Sequence, residues 1–333
     1  MRLLPTARST RRRGAAVLAA AAALATVTPG WAHPLHTVGT GPRGLGYEVV
    51  GILPVDLPPG VLAPAEGSTA PGSNARRYAY DIPRSLVDRP DGDVDGRLVH
   101  VIYYLPADKP DEGLDTSGVI DVSIAAQQKW IAAQTGGRTW RFDTFGFDTR
   151  QGRRTAYDVT FFRSTKTTAE VSRVEGIDAE LIAAGLVQDG KRYLIYAATD
   201  TGNICGEAYY PISTNSDHDG QFAAVYLDSV SGCAARDFAT SVDSAGMVET
   251  IAQQEIMHND GVVPITAGHQ CLPGFFHVCT AGLAEIGVDP QRFDILFPYV
   301  GVPLREKVLD IGRDDYFEAP TALRDLANSP FLT

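Results

Sequence analysis

Glu255 and His258 lie three apart in the run Glu249-Thr250-Ile251-Ala252-Gln253-Gln254-Glu255-Ile256-Met257-His258-Asn259-Asp260-Gly261-Val262-Val263-Pro264. On a helix, residues four apart share a face. In the pattern H-E-x-x-H two histidines so placed grip a zinc ion, and the glutamate between them deprotonates its bound water. Here Gln254 stands at the first histidine position. Its neutral amide oxygen is a weak ligand for this metal. A catalytic zinc also needs three protein ligands and one open position. His269 and His277 are the next imidazoles along the chain. A short E-x-x-H match also recurs by chance, so an ordinary packing helix is the competing reading of these letters.

Other constellations are weaker. Asp91-Gly92-Asp93-Val94-Asp95-Gly96 begins like a calcium loop, but Ile102 stands where the bidentate glutamate belongs. It reads as a turn before a strand. Asp217-His218-Asp219-Gly220 reads as a polar hairpin loop, and Asp314-Asp315 as a solvated or capping surface. There is no G-x-S-x-G elbow and no phosphate-binding loop, so serine-hydrolase and nucleotide chemistry lack support.

The first 32 residues have the order of an export signal. Arg2, Arg8, Arg11, Arg12 and Arg13 precede an alanine-rich apolar run, and Gly30-Trp31-Ala32 offers a small-x-small cleavage site. Removing these five arginines from the 29 basic residues leaves 24 against 40 acidic ones, a formal charge of −16. That sign disfavours nucleic acid and anionic membrane surfaces. No later apolar run reaches a membrane-spanning length, so the mature chain is expected to be secreted and free of the membrane. Cys205, Cys233, Cys271 and Cys279 form an even set, which in an exported chain suggests disulfides. Three pairings exist; Cys205–Cys233 with Cys271–Cys279 is the simplest.

Residues 33–96 read as a Pro/Gly-rich N-terminal extension, with Tyr47-Glu48-Val49-Val50 as a short strand. Patterning sharpens over 97–333. Strands are expected at Leu98–Leu105, Tyr157–Phe162, Arg192–Ala197 and Phe222–Leu227, and helices over 119–134 and Asp178–Leu186. A signature helix follows from about Ser244 to Asp260, with Ser244 capping its start and Gly261 its end. This order suits an α+β domain: a mixed sheet backed by helices, then an irregular C-terminal part held by the cysteines.

The chain resembles a group of secreted bacterial zincin-type metallopeptidases, metzincin-like or snapalysin-like, over residues 97 to 317. The likeness runs through His100-Val101-Ile102-Tyr103-Tyr104, Gln134-Thr135-Gly136-Gly137-Arg138-Thr139-Trp140-Arg141-Phe142-Asp143 and Asp158-Val159-Thr160-Phe161. It continues through Lys191-Arg192-Tyr193-Leu194-Ile195-Tyr196, Cys205-Gly206, the signature helix and Leu309-Asp310-Ile311-Gly312-Arg313-Asp314-Asp315-Tyr316-Phe317. The resemblance implies a zincin-like fold, zinc as cofactor, Glu255 as general base, and His258 with His269 as metal ligands. The chain departs from the group's pattern at Gln254 and, in the cysteine-bounded segment, at Gln270, Pro273, Phe276 and Val278; Pro264 stands where metzincins place a further ligand.

These departures favour a secreted zincin-fold protein with a degraded zinc site. It would hold zinc weakly or not at all, and bind a peptide or protein ligand along a sheet edge. Restoring the helix pair with Gln254→His is expected to raise zinc affinity. The rival is an active peptidase of unusual ligand set, in which His258, His269 or His277 serves Glu255. A purely structural secreted domain is the third reading.

Overall fold

The computed structural model describes residues 37–40, 46–54, 81–90 and 97–333, apart from 172, 203, 212–220, 230–232, 234–235, 264–266, 272–275, 280–292 and 320–323. The export signal, the Asp91–Gly96 turn, the Asp217–Gly220 loop, Pro264 and Pro273 lie outside the described residues.

The strands are β1 (Thr37–Thr40), β2 (Gly46–Pro54), β3 (Val99–Leu105), β4 (Thr144–Thr149), β5 (Gly152–Tyr157), β6 (Val159–Arg163), β7 (Arg192–Ala197), β8 (Gly206–Pro211), β9 (Phe222–Tyr226) and β10 (Tyr299–Val300). The helices are α1 (Val119–Thr135), α2 (Val174–Ala183) and α3 (Met247–Asn259). Five strands form the central sheet in the order β8-β9-β7-β3-β6. The four from β9 to β6 run parallel, and β8 is antiparallel to β9. β2 adds antiparallel to the free side of β8, with β1 beyond it and β10 parallel to it. β4 and β5 make a separate hairpin.

The sequence order suggested α+β, and the sheet is indeed mixed and backed by helices. Parallel strands joined through α1 and α2 make the arrangement a mixed α/β one. β3 and β7 are buried along their whole length, as strands covered on both faces must be. One face carries Val101, Tyr103, Leu194, Tyr196, Ala223 and Val225 against α1 and α3. The other carries Ile102, Tyr104, Tyr193 and Ile195 against Val174, Ile177 and Leu181 of α2.

Element ends differ from the sequence reading where partners lie far along the chain. α2 begins four residues before Asp178, because the buried Glu207 carboxylate accepts the Val174 N–H at 3.4 Å. α3 begins at Met247, after Gly246. Ser244 does not cap it; its hydroxyl closes the preceding turn on Thr240 and Ser241. The N–H groups at the helix start, which have no partner within the helix, fall instead to acids. Glu249 accepts from Gly246 at 2.6 Å and from Ala239 at 3.1 Å, and Asp237 accepts from Met247 at 3.3 Å.

Both expected disulfides are present, Cys205–Cys233 and Cys271–Cys279. Buried carboxyls hold the irregular C-terminal part as well. Asp310 accepts backbone N–H groups from Asp315, Tyr316 and Phe317. Asp294 accepts from Leu296, Ile311 and the Tyr316 hydroxyl.

Candidate functional site

Every residue of α3 is buried, so the helix is enclosed on all sides rather than amphipathic. β8 and β9 cover one side; α1, β10 and the turn at Leu304–Glu306 cover the rest. Its polar side chains therefore need partners inside the protein. Gln253 accepts from Trp140 Nε1 at 2.9 Å and donates to Gln127 at 3.0 Å. Asn259 donates to the carbonyls of Tyr209 and Phe222 at 3.0 Å each, tying the end of α3 to two strands.

Gln254 works in the same way. Its Nε2 donates to the carbonyl of Phe297 at 2.8 Å and also to that of Ile295. The residue at the first histidine position is thus an amide clamp on the segment that leads into β10. The zincin ligand set does not fit this arrangement: the residue that would share the metal with His258 is held through its Nε2 and offers only a buried, neutral Oε1.

Glu255 lies under β8. Its carboxyl is fully buried, and neither oxygen has a hydrogen-bond partner. Burial, reinforced by the nearby Glu207 charge, pushes its pKa well above the ordinary carboxylate range. A Cβ added at Gly206 would come within 2.7 Å of Glu255 Oε1 and 2.6 Å of Ile251 Cγ2, so only glycine lets the helix approach β8 this closely. Glu207, one residue on, points to the opposite face of the sheet, where Arg173 and the Tyr226 hydroxyl engage it.

His258 is also fully buried, beside Tyr210, whose ring stacks on Phe276 at 3.8 Å. Its Nε2 lies 3.3 Å from Nε2 of His277, with the two rings 75° apart. His269 is turned elsewhere and is more than a third exposed. Its Nδ1 lies 3.0 Å from Asp315, whose other oxygen accepts the His269 N–H at 2.8 Å. Burial lowers the His269 pKa, but the Asp315 hydrogen bond and charge outweigh it and raise the net value. Of the paired acids, Asp314 is solvated and Asp315 is a buried cap.

Two groups of side chains among the described residues could hold a metal ion: His269 with Asp314 and Asp315, and Asp88 with His100 and Asp158. The second belongs to a buried network that sequence reasoning missed. His100 Nδ1 lies 2.8 Å from Asp143, and its Nε2 lies 2.9 Å from the Thr160 hydroxyl. Lys191 bridges Asp88 and Asp143 at 2.8 and 3.0 Å, and Arg89 pairs with Asp158. The only sequence signal is a polar residue at or just before the start of each apolar strand: His100 on β3, Asp158 before β6, Lys191 before β7. Ligands of open parallel sheets bind outside the carboxyl ends of the strands. This network sits at the amino ends, is enclosed, and carries its own cations, so it reads as an internal ionic clasp.

No protein-family model, no curated protein and no solved structure matches the chain.

Proposed function

We propose that this chain is a secreted, metallopeptidase-like protein in which the signature helix has become a packing element, and that it acts by binding rather than by peptide hydrolysis. The observation that carries this reading is Gln254, whose amide nitrogen is spent on the carbonyls of Ile295 and Phe297. Glu255 supports it. A general base must be ionised and within reach of a water molecule, whereas this carboxyl is enclosed, unpartnered and held neutral. The four disulfide-bonded cysteines suit an oxidising, extracellular setting.

The binding surface we propose is the side of β8 that β2 covers, next to α3. Here the chain supplies an example of its own: β2 pairs antiparallel with β8 from Tyr47↔Pro211 to Ile52↔Gly206. An extended peptide would add in the same way, with main-chain hydrogen bonds giving affinity. Replacing the adjacent residues Val49 and Val50 by proline removes one N–H from each side of β2, including one on the β8 side, and weakens its hold. Fluorescence anisotropy against a library of extended peptides is expected to show tighter binding to this double variant than to the unmodified chain. Equal or absent binding by both would refute the sheet-edge reading.

A further inference from the structure

We propose that the buried clasp is a modification site, in which Lys191 and Asp88 condense to an intramolecular amide with loss of one water. Lys191 stands just before β7, and Asp88 lies in the segment 81–90, whose Ser85 bridges to Thr160 of β6. Nζ of Lys191 lies 2.8 Å from Oδ2 of Asp88. Cγ is one bond of about 1.2 Å behind that oxygen, so nitrogen and carbon are about 4 Å apart or less. Attack needs about 3–3.5 Å, a small side-chain rotation away. Both side chains are enclosed, at 3% and 6% exposure. A buried ion pair repays its lost hydration only when its remaining lone pairs are also bonded. Here Oδ1 of Asp88 and Oδ1 of Asp143 have no hydrogen-bond partner. An amide removes both charges of the pair, and burial shields it from hydrolysis.

The neighbours supply the proton transfers. Attack requires a neutral amine and a protonated carboxyl. Burial is the largest influence on Asp88 and raises its pKa, which favours the protonated acid. Asp143 Oδ2, 3.0 Å from Nζ, takes one proton from the ammonium group. The freed electron pair forms the N–C bond, and negative charge moves onto Asp88 Oδ2, where Gln188 Nε2 donates at 3.0 Å. His100 Nδ1 lies 2.8 Å from Asp143 Oδ2 and 3.4 Å from Asp88 Oδ1. It passes the proton held by Asp143 to the Oδ1 hydroxyl, while its Nε2 rests on the Thr160 hydroxyl. The C–Oδ1 bond then breaks and water leaves. Oδ2 remains as the amide carbonyl, and Asp143 takes the second proton from the nitrogen. Nothing is oxidised or reduced.

The test is the intact mass of the purified, unsubstituted chain with its disulfides reduced, followed by tryptic mapping. The expected result is a mass lower by one water and a branched peptide that joins the Lys191 and Asp88 segments, with no cleavage after Lys191. Fragment spectra locate the lost water. Hydroxylamine, which opens a cyclic imide and spares this amide, separates the bond from dehydration at an Asp–Gly pair such as Asp189-Gly190. Asp143→Ala leaves both partners in place and should cut the linked fraction at least about tenfold. Lys191→Met and Asp88→Ala should abolish it. Because each variant alters a buried ionic network and can unfold the chain, the mass of the unsubstituted chain decides. Full mass with Lys191 and Asp88 in separate peptides, a water loss confined to an Asp–Gly pair, or a link from Lys191 to Asp143 would overturn the proposal. An undiminished link in Asp143→Ala would overturn the part given to Asp143.

Discussion

A carboxyl group buried without a hydrogen-bond partner is tolerable inside a protein only as the neutral acid, since an isolated buried charge is far more costly. Glu255 is such a group. Its folded-state pKa lies above the unfolded value, so the native protein holds a proton that the unfolded chain releases. Stability must then fall as pH rises from about 4.3, the unfolded value, toward the raised folded value. Glu255→Gln keeps the shape and removes that dependence. It is expected to stabilise the fold at pH 7 by about 1–3 kcal/mol, with the gain vanishing near pH 4 in thermal melts across that range. A gain that is absent at pH 7 would mean that the carboxyl is ionised after all. Gln254 predicts the opposite sign. Truncation to alanine strands the carbonyls of Ile295 and Phe297 and opens a cavity, costing about 2–4 kcal/mol by urea denaturation. Gln254→His forfeits the same clamp, so whatever it adds in zinc affinity comes with a loss of stability.

At the scale of elements, α3 and β8 depend on one another. The contact is close because Gly206 has no side chain: a Cβ there would meet the Ala224 carbonyl oxygen at 2.9 Å, besides Ile251 and Glu255. The carbonyl belongs to the neighbouring strand and cannot yield, so Gly206→Ala is expected to destabilise by about 1–3 kcal/mol, seen as a lowered urea midpoint at unchanged slope. What the sequence made legible follows from local pattern. β3, β7 and β9 announce themselves through runs of apolar residues, α1 through isoleucines on one face, and α3 through its E-x-x-H letters and Gly261. β8 does not, because Gly206, Glu207 and Pro211 weaken any strand signal, and its glutamate is satisfied by Arg173 before α2 and by Tyr226 of the neighbouring β9. The start of α3 was misplaced for a similar reason, since its caps are Glu249 and Asp237 rather than the nearest serine. At the candidate site, residue types pointed to Glu255, His258 and the histidines beyond. Which histidine faces His258 is a tertiary fact. The cysteine spacing placed His277 in a closed loop, but only the packing of Val278 on Leu296 brings its ring to the helix.

In the whole molecule, two sets of elements surround α3. A mixed sheet and the helices on its faces enclose α3. Two disulfides and the buried acids Asp294 and Asp310 hold the irregular segments that cover its remaining side. Burial pushes Asp294 up to about 7 and Glu249 likewise to about 7, and pulls Lys307 down to about 7. The protein thus keeps several ionisable groups inside by leaving them near neutrality. Glu255 lies in the same interior, with no solvent-exposed surface. The most direct measurement is a peptide-library digest by the mature protein supplied with zinc, run beside Glu255→Gln. The account predicts no cleavage above the background of the variant, whether or not zinc is bound. Zinc-dependent cleavage by the unmodified chain, abolished by Glu255→Gln, would contradict it.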